Sequence, residues 1–209
     1  MSKRPTAFSA KKPPQQQRAK VTVNAILDGM VRVLEQEGFD AASTSRVAEV
    51  AGVSVGTLYQ YFSNRDAILD ALQDREFERA TEMLARVLAR GSYASDREAA
   101  RAVVEGLLEL HSAAPTLHRV LVLEGLRVTP TARVQAFDLR LVSTIRSFLA
   151  LANVRIRKTN LDAAAFVIYQ AVRATMLAAL LERPPGLDNG TLVDEITDLV
   201  LRYLVEDKA

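Results

Sequence analysis

The chain has 209 residues, 49% of them hydrophobic, which is enough to bury a full core and leaves room for one large or two small domains. It has no cysteine and two histidines, which excludes disulfides and thiolate metal sites and fits a reducing, cytoplasmic setting. No apolar run of signal-peptide type opens the chain, and no stretch reads as both long and charge-free enough to span a membrane.

The net charge of +2 is unevenly spread. Residues 1–20 carry Lys3, Arg4, Lys11, Lys12, Arg18 and Lys20 and no acid, so the body of the chain is slightly acidic. With Pro5, Pro13, Pro14 and three consecutive glutamines, this stretch is expected to be a disordered basic arm. It is either an arm that follows phosphates or enters a minor groove, or a solvated tail. A first helix is expected from Thr22 or Val23 to Glu37, with Ile26, Met30, Val33 and Leu34 on one face and Gly38 as its stop. Phe39 then joins a small core with Val47, Ala48, Leu58 and Phe62.

Residues 44–65 follow as short helix, tight turn and second short helix. Val47, Ala48 and Ala51 make one apolar stripe, Thr44 or Ser43 is placed to cap it, and Gly52 ends it. Ser54 caps the second helix, where Leu58 and Phe62 share the inner face at about 100° per residue. Gly56, Thr57 and Gln60 then face out, with Tyr59 and Tyr61 on the flanks. A helix lying so in a major groove has phosphate backbones on both sides. Gly56 lets the backbone come close, and Thr57, Tyr59 and Tyr61 donate to phosphate oxygens. Val55 and Gln60 are left to read base edges, with Ser45 as a further reader, and Arg65 adds a charged phosphate contact.

The run Ala-Gly-Val-Ser-x-Gly-Thr-Leu-Tyr-x-Tyr-Phe from Ala51 to Phe62, with Val55 and Gln60 at its two variable positions, resembles the recognition segment of the tetracycline-repressor (TetR) family of bacterial regulators. The resemblance covers about residues 20–70, and Arg65 stands where that family usually has lysine, which keeps the charge. It implies an all-α fold of about nine helices. An N-terminal three-helix DNA-binding domain, placed here at residues 21–66, would precede a larger inducer-binding and dimerising domain at residues 67–209. Thr44 and Ser54 enter the DNA-facing set on the same resemblance.

Ser63 or Asn64 caps a long fourth helix from Arg65 to about Arg90, with Ser63-x-x-Asp66 as a weak capping box and an apolar stripe through Ile68, Leu72, Met83 and Val87. In the family this helix couples ligand binding to the separation of the two DNA readers. Gly91-Ser92 breaks it, and Ser95-x-x-Glu98 opens a fifth helix to Ala113. Pro115 starts a sixth helix, which ends near Arg127. Pro130 opens a seventh, with Phe137 and Leu141 on one side and Arg133, Arg140 and Arg146 on the other. Arg155-Ile156-Arg157-Lys158 reads as a solvated basic loop. Asn160–Glu182 is alanine-rich and apolar nearly all round, with Gln170 and Arg173 near its middle arguing for an interface or pocket. A final helix from Thr191 to about Val205 shows Leu192, Ile196, Leu199 and Tyr203 as one stripe. Too little chain remains to cover these last two helices, so they are expected to form a four-helix bundle with a second copy.

Motifs for catalysis are absent: no glycine-rich phosphate loop, no His-x-x-x-His pair and no nucleophile elbow, so no enzyme, cofactor or metal is expected. Apolar walls for a small-molecule pocket are available in Phe137, Phe166, Tyr169 and Met176, each also an ordinary core residue, with His111, Glu124, Arg127, Gln170 and Arg173 as orienting groups. His111 and His118 lie seven residues apart, but Pro115 interrupts any single helix between them. The leading expectation is a homodimeric repressor released from a palindromic operator by an unidentified inducer. The alternatives are a DNA-binding regulator without a small-molecule ligand, or a helical small-molecule binding protein that no longer reads DNA.

Overall fold

The computed structural model describes residues 15–90, 93–151, 156, 160–182 and 189–205. Among them are nine helices: α1 (Gln15–Glu37), α2 (Thr44–Ala51), α3 (Val55–Tyr61), α4 (Arg65–Ala89), α5 (Asp96–Ala113), α6 (Pro115–Val128), α7 (Thr131–Leu151), α8 (Leu161–Glu182) and α9 (Asn189–Leu204). Residues 1–14, Gly91-Ser92 and most of the basic loop Arg155–Lys158 lie outside the described residues.

Helix α1 starts at Gln15, not at Thr22, so the last part of the expected arm is helical. The prolines all precede Gln15, and glutamine and alanine are good helix formers once proline is behind them. At the other end, Gly38 adopts φ +86°, and its N–H bonds back to the carbonyls of Val33 and Leu34, at 3.2 Å each.

The caps follow the sequence closely, with differences at two capping boxes. Of the two residues offered for α2, Ser43 caps it, accepting from the Arg46 N–H at 3.2 Å, and Gly52 ends that helix in the left-handed region. Ser54 caps α3 through the Thr57 N–H at 3.0 Å. Asn64 caps α4 through the Ala67 N–H at 2.8 Å, so the Ser63-x-x-Asp66 box does not form, and Asp66 pairs with Arg127 instead. Ser95 caps α5 as expected, while Glu98 reaches back to the Ala94 N–H, one residue earlier than in the standard box.

Helix α4 takes part in two separate cores. Its first turns (Ile68, Leu69, Leu72) complete an N-terminal core with Ile26, Met30 and Leu58. Leu117, Val120 and Leu121 of α6 belong to that same core, so α6 packs with the N-terminal helices although the whole of α4 and α5 separates them in the chain. Farther along, Ala80 and Leu84 of α4 pack with Phe137, Leu141 and Tyr169. A third core joins α8 and α9 through Ala165, Ile168, Val172, Leu192 and Ile196.

By length and mean hydropathy alone α8 is apolar enough to cross a membrane, contrary to expectation. In the fold its Ala164, Ala165, Ile168, Tyr169, Val172 and Met176 are buried, but Phe166 and Val167 are exposed. Helix α9 splits likewise. Leu192 and Ile196 are buried, whereas Leu199 points outward and leaves the single stripe expected for it.

Candidate DNA-reading surface and internal cavity

The second helix of the helix-turn-helix, α3, touches the core through Leu58 and, just past its end, Phe62. Apart from the half-buried Thr57, everything else on it is turned out. Val55, Tyr59 and Tyr61 are among the largest exposed apolar or aromatic groups of the molecule, and Gly56 and Gln60 are exposed beside them. A side chain at Gly56 would meet nothing closer than the Ser54 hydroxyl at 3.8 Å, so nothing inside the fold demands glycine there. The demand, if there is one, comes from outside: a small residue lets another surface come close to the helix backbone.

The polar groups of this surface are already oriented by neighbours. The Tyr59 and Thr44 hydroxyls lie 3.0 Å apart, tying the flank of α3 to the start of α2, and the Thr57 and Ser54 hydroxyls lie 2.8 Å apart. Ser45 is exposed on α2 beside them. Arg65 is placed differently from expectation. Its guanidinium stacks 4.1 Å from the centre of the Phe39 ring and points toward the Phe39 carbonyl, so it is drawn back against the segment between α1 and α2 and is not projecting freely. Close approach of α1 to α2, which sets the pose of the whole unit, depends on Gly29: a β-carbon there would stand 2.8 Å from that of Ala51.

Between α4, α5, α6, α7, α8 and α9 lies a cavity of about 460 Å³. That is a size and position suited to a small molecule. Most of its wall is apolar, including Phe77 and Phe137, whose rings stack 3.9 Å apart between α4 and α7. Three of its polar groups, Glu76, His111 and His118, gather in one region. Glu76 of α4 is buried, and its Oε2 sits 3.5 Å from His118 Nε2, too far for a good hydrogen bond. Its Oε1 accepts from Arg79 at 3.0 Å, with Arg75 Nε at 3.8 Å. Burial pushes the Glu76 carboxyl upward, but His118, Arg79 and Arg75 together outweigh it and hold it below the usual carboxylate range.

The two histidines, which sequence reasoning kept apart because of Pro115, meet with ring centres 4.7 Å apart. Pro115 ends nothing that they need: His111 lies in the last turn of α5 and His118 in the first turns of α6, and the bend between the helices folds one ring onto the other. Each Nδ1 faces the carbonyl four residues back, His111 to Leu107 at 2.7 Å and His118 to Ala114 at 2.9 Å. A carbonyl only accepts, so each Nδ1 carries the proton and donates. Burial, with His118 adding to it, holds the His111 pKa below its ordinary value.

Of the expected pocket residues, His111, Phe137, Tyr169, Arg173 and Met176 line the cavity. The Tyr169 hydroxyl donates to Asp138, and burial, aided by that carboxylate, raises its pKa. Phe166 faces outward, and Gln170 is not on the wall. Glu124 and Arg127 are spent on each other and on Asp66, in a surface ion-pair group joining α6 to α4. Arg127 holds Asp66 by two bonds, at 3.0 and 3.1 Å, and Arg133 similarly reaches Asp70 and Asp74. Their polarity belongs to helix packing, since a surface position satisfies a charge at less desolvation than a cavity does. Sequence reasoning missed Glu76 and His118 as lining groups. Glu76 had a readable signal: it continues the Ile68-Leu72 stripe by one further four-residue step toward Ala80, which puts a carboxylate where an apolar side chain is expected.

Residues 26–72 match the family described as bacterial regulatory proteins, tetR family, and residues 97–204 match the tetracyclin repressor-like C-terminal domain. The chain is 43% identical over 54 residues to the HTH-type transcriptional repressor KstR of Mycolicibacterium smegmatis, a match covering 26% of either chain. The matched stretch thus spans about a quarter of the length of that relative. Over nearly the whole fold it is similar to the fatty acid degradation regulator FadR from Bacillus halodurans, with a TM-score of 0.69 at 19% identity, covering 92% of this chain and 97% of that one. It is also similar to a TetR-family transcriptional regulator from Streptomyces coelicolor, with a TM-score of 0.60 at 26% identity, covering 87% and 96%.

Proposed function

The chain belongs to the TetR family of bacterial regulatory proteins, and we propose that it is a sequence-specific DNA-binding repressor released from a palindromic operator when a small molecule enters the cavity of its C-terminal domain. The observation that carries the reading is α3, whose inner face alone is used by the core while Val55, Gly56, Tyr59 and Gln60 are left on the outside, with Thr57 half-buried at their edge. In that reading Gly56 lets the helix settle into a major groove, Thr57 and the tyrosines contact phosphates, and Gln60 with Val55 and Ser45 reads bases. Arg65 contributes by bracing Phe39, and reaches a phosphate only if it leaves that ring.

A homodimer through α8 and α9 accounts for Phe166, Val167 and Leu199, large apolar side chains that the single chain leaves in water. It would place two readers about 34–36 Å apart on successive major grooves. A cavity of about 460 Å³ favours a small-molecule effector over a regulator with a closed C-terminal core. No catalytic role is proposed, and a cytoplasmic setting follows from the DNA target.

The test is selection of binding sites for the full chain from random duplex DNA at two salt concentrations, with Gly56→Glu as a control that blocks groove entry. An enriched palindrome lost in the control supports the reading. Enrichment of nothing by the intact dimer overturns it.

A further inference from the structure

The polar end of the cavity is unusual in what it lacks. Glu76 and His118 are each more than nine-tenths buried, yet Glu76 Oε2 and His118 Nε2 have no hydrogen-bond partner, and behind them Arg75 Nε has none either. Buried polar atoms are normally satisfied, so two orphans side by side on a cavity wall call for a partner that enters from the cavity. The third member of the group is His111, whose ring leans on that of His118. Because both imidazoles donate through Nδ1 to a helix carbonyl, it is their Nε2 atoms that are left for a further partner. The carboxylate oxygen is an acceptor. This end of the cavity therefore sets a carboxylate acceptor beside an imidazole nitrogen, and a group that can both donate and accept satisfies the two.

Charge decides which donor. Glu76 is already neutralised, with Arg79 at 3.0 Å and Arg75 Nε at 3.8 Å, while Arg75 also pairs with Asp28 at 2.7 Å. A cationic head would meet a site whose negative charge is compensated and would be desolvated for little return. A carboxylate head is worse placed, since an ionised carboxylate only accepts and leaves Glu76 Oε2 without a donor. An uncharged hydroxyl fits: it donates to Glu76 Oε2 or an imidazole Nε2, and if His118 gains a proton the hydroxyl accepts from it and still donates to Glu76. The rest of the wall, with Phe77, Phe137 and Met176, is apolar.

We propose that the cavity of this chain takes an apolar molecule ending in an uncharged hydroxyl, held by Glu76, His118 and His111, and that it rejects the corresponding carboxylic acid. The inference rests on the reading of the cavity as the effector site. Arg173, which also lines the cavity, is the group that a carboxylate would otherwise seek. It is only half-buried, so water screens its charge, whereas the Glu76 group is closed to solvent.

The experiment uses the full-length dimer and two probes of equal length, 1-decanol and decanoate, with binding followed by calorimetry. Decanol is expected to bind more tightly than decanoate by about tenfold or more, since the carboxylate cannot donate to Glu76 and leaves that buried oxygen unsatisfied. Glu76→Gln, which replaces the carboxylate by an amide able to donate, should shrink that ratio. His111→Phe should weaken decanol, and it keeps the test open if Glu76→Gln fails to fold. Decanoate binding as tightly as decanol, or neither probe binding, overturns the inference. Decanoate binding that is lost in Arg173→Gln overturns it too, by placing the head at Arg173. Duplex selection on the same preparation separates the two readings. An enriched palindrome without decanol preference sinks only the inference, while decanol preference without a palindrome sinks only the repressor.

Discussion

Helix α6 has no side-chain cap of its own, because Ala114 stands at its N-cap position. Glu35 of α1 supplies what is missing: its carboxylate accepts from the Leu117 N–H at 2.8 Å and the Thr116 N–H at 3.3 Å. The bond spans the helix-turn-helix unit and the helix that carries His118 into the cavity. Glu35→Ala leaves two half-buried N–H groups without a side-chain acceptor and removes a negative charge from a helix N-terminus. Losing buried hydrogen-bond partners typically destabilises by about 1–3 kcal/mol. Glu35→Gln keeps one acceptor oxygen and loses only the charge, an effect of about 0.3–1 kcal/mol at a helix end. Thermal unfolding should rank the proteins wild type, Glu35→Gln, Glu35→Ala, with a fall of about 2–4 °C for each kcal/mol in a chain of this size. If the cap also transmits, the alanine variant should keep operator affinity better than it keeps release by ligand. A Glu35→Ala protein that melts with the wild type would refute the argument, because it would mean that water serves α6 as well as Glu35 does.

Gly29→Ala gains about 1 kcal/mol of helix propensity but drives a methyl to 2.8 Å from the Ala51 β-carbon and 3.1 Å from its backbone. Overpacking of about 1–3 kcal/mol should win, and Ala51→Gly in the same chain should restore stability; a single variant more stable than wild type in denaturant melts would reverse that ordering. Tyr59→Phe should weaken binding to all duplexes alike, since phosphate contacts carry no base information, while Gln60→Ala should relax preference at one base position by about 1–3 kcal/mol; filter binding against a panel of single-base operator variants reads both. Stability should fall on acidification in two stages. The His111 pKa is depressed in the folded chain, so the unfolded chain takes up the proton first as pH drops below about 6.5, and stability is lost from there downward. Glu76 is also depressed, so its contribution is present above about 4.5 and is lost as pH falls through its lower folded value. His111→Phe should flatten only the upper stage in urea melts taken across pH, and an unchanged upper stage would place that titration elsewhere.

The DNA-facing unit was legible in the sequence because everything that builds it is local. Ser54 caps the residues that follow it, Gly52 and Gly38 stop helices where a left-handed residue is needed, and Leu58 and Phe62 are one helical turn apart, so spacing alone turns Gly56 and Gln60 outward. The alternation of apolar stripes likewise gave all nine helices, with α1 misjudged at its start because prolines were allowed to speak for the glutamines after them. The cavity was not legible in the same way. Its polar end is assembled from α4, α5 and α6, and no spacing along the chain reports that the bend after Ala113 folds His111 onto His118 or that Glu76 lies against them. Arg127 and Glu124 looked like pocket groups from composition, yet the packing of α6 on α4 turned them to the surface toward Asp66. Periodicity says which face of a helix is buried; only the crossing of helices decides whether that face meets another helix, a ligand or a second copy of the chain.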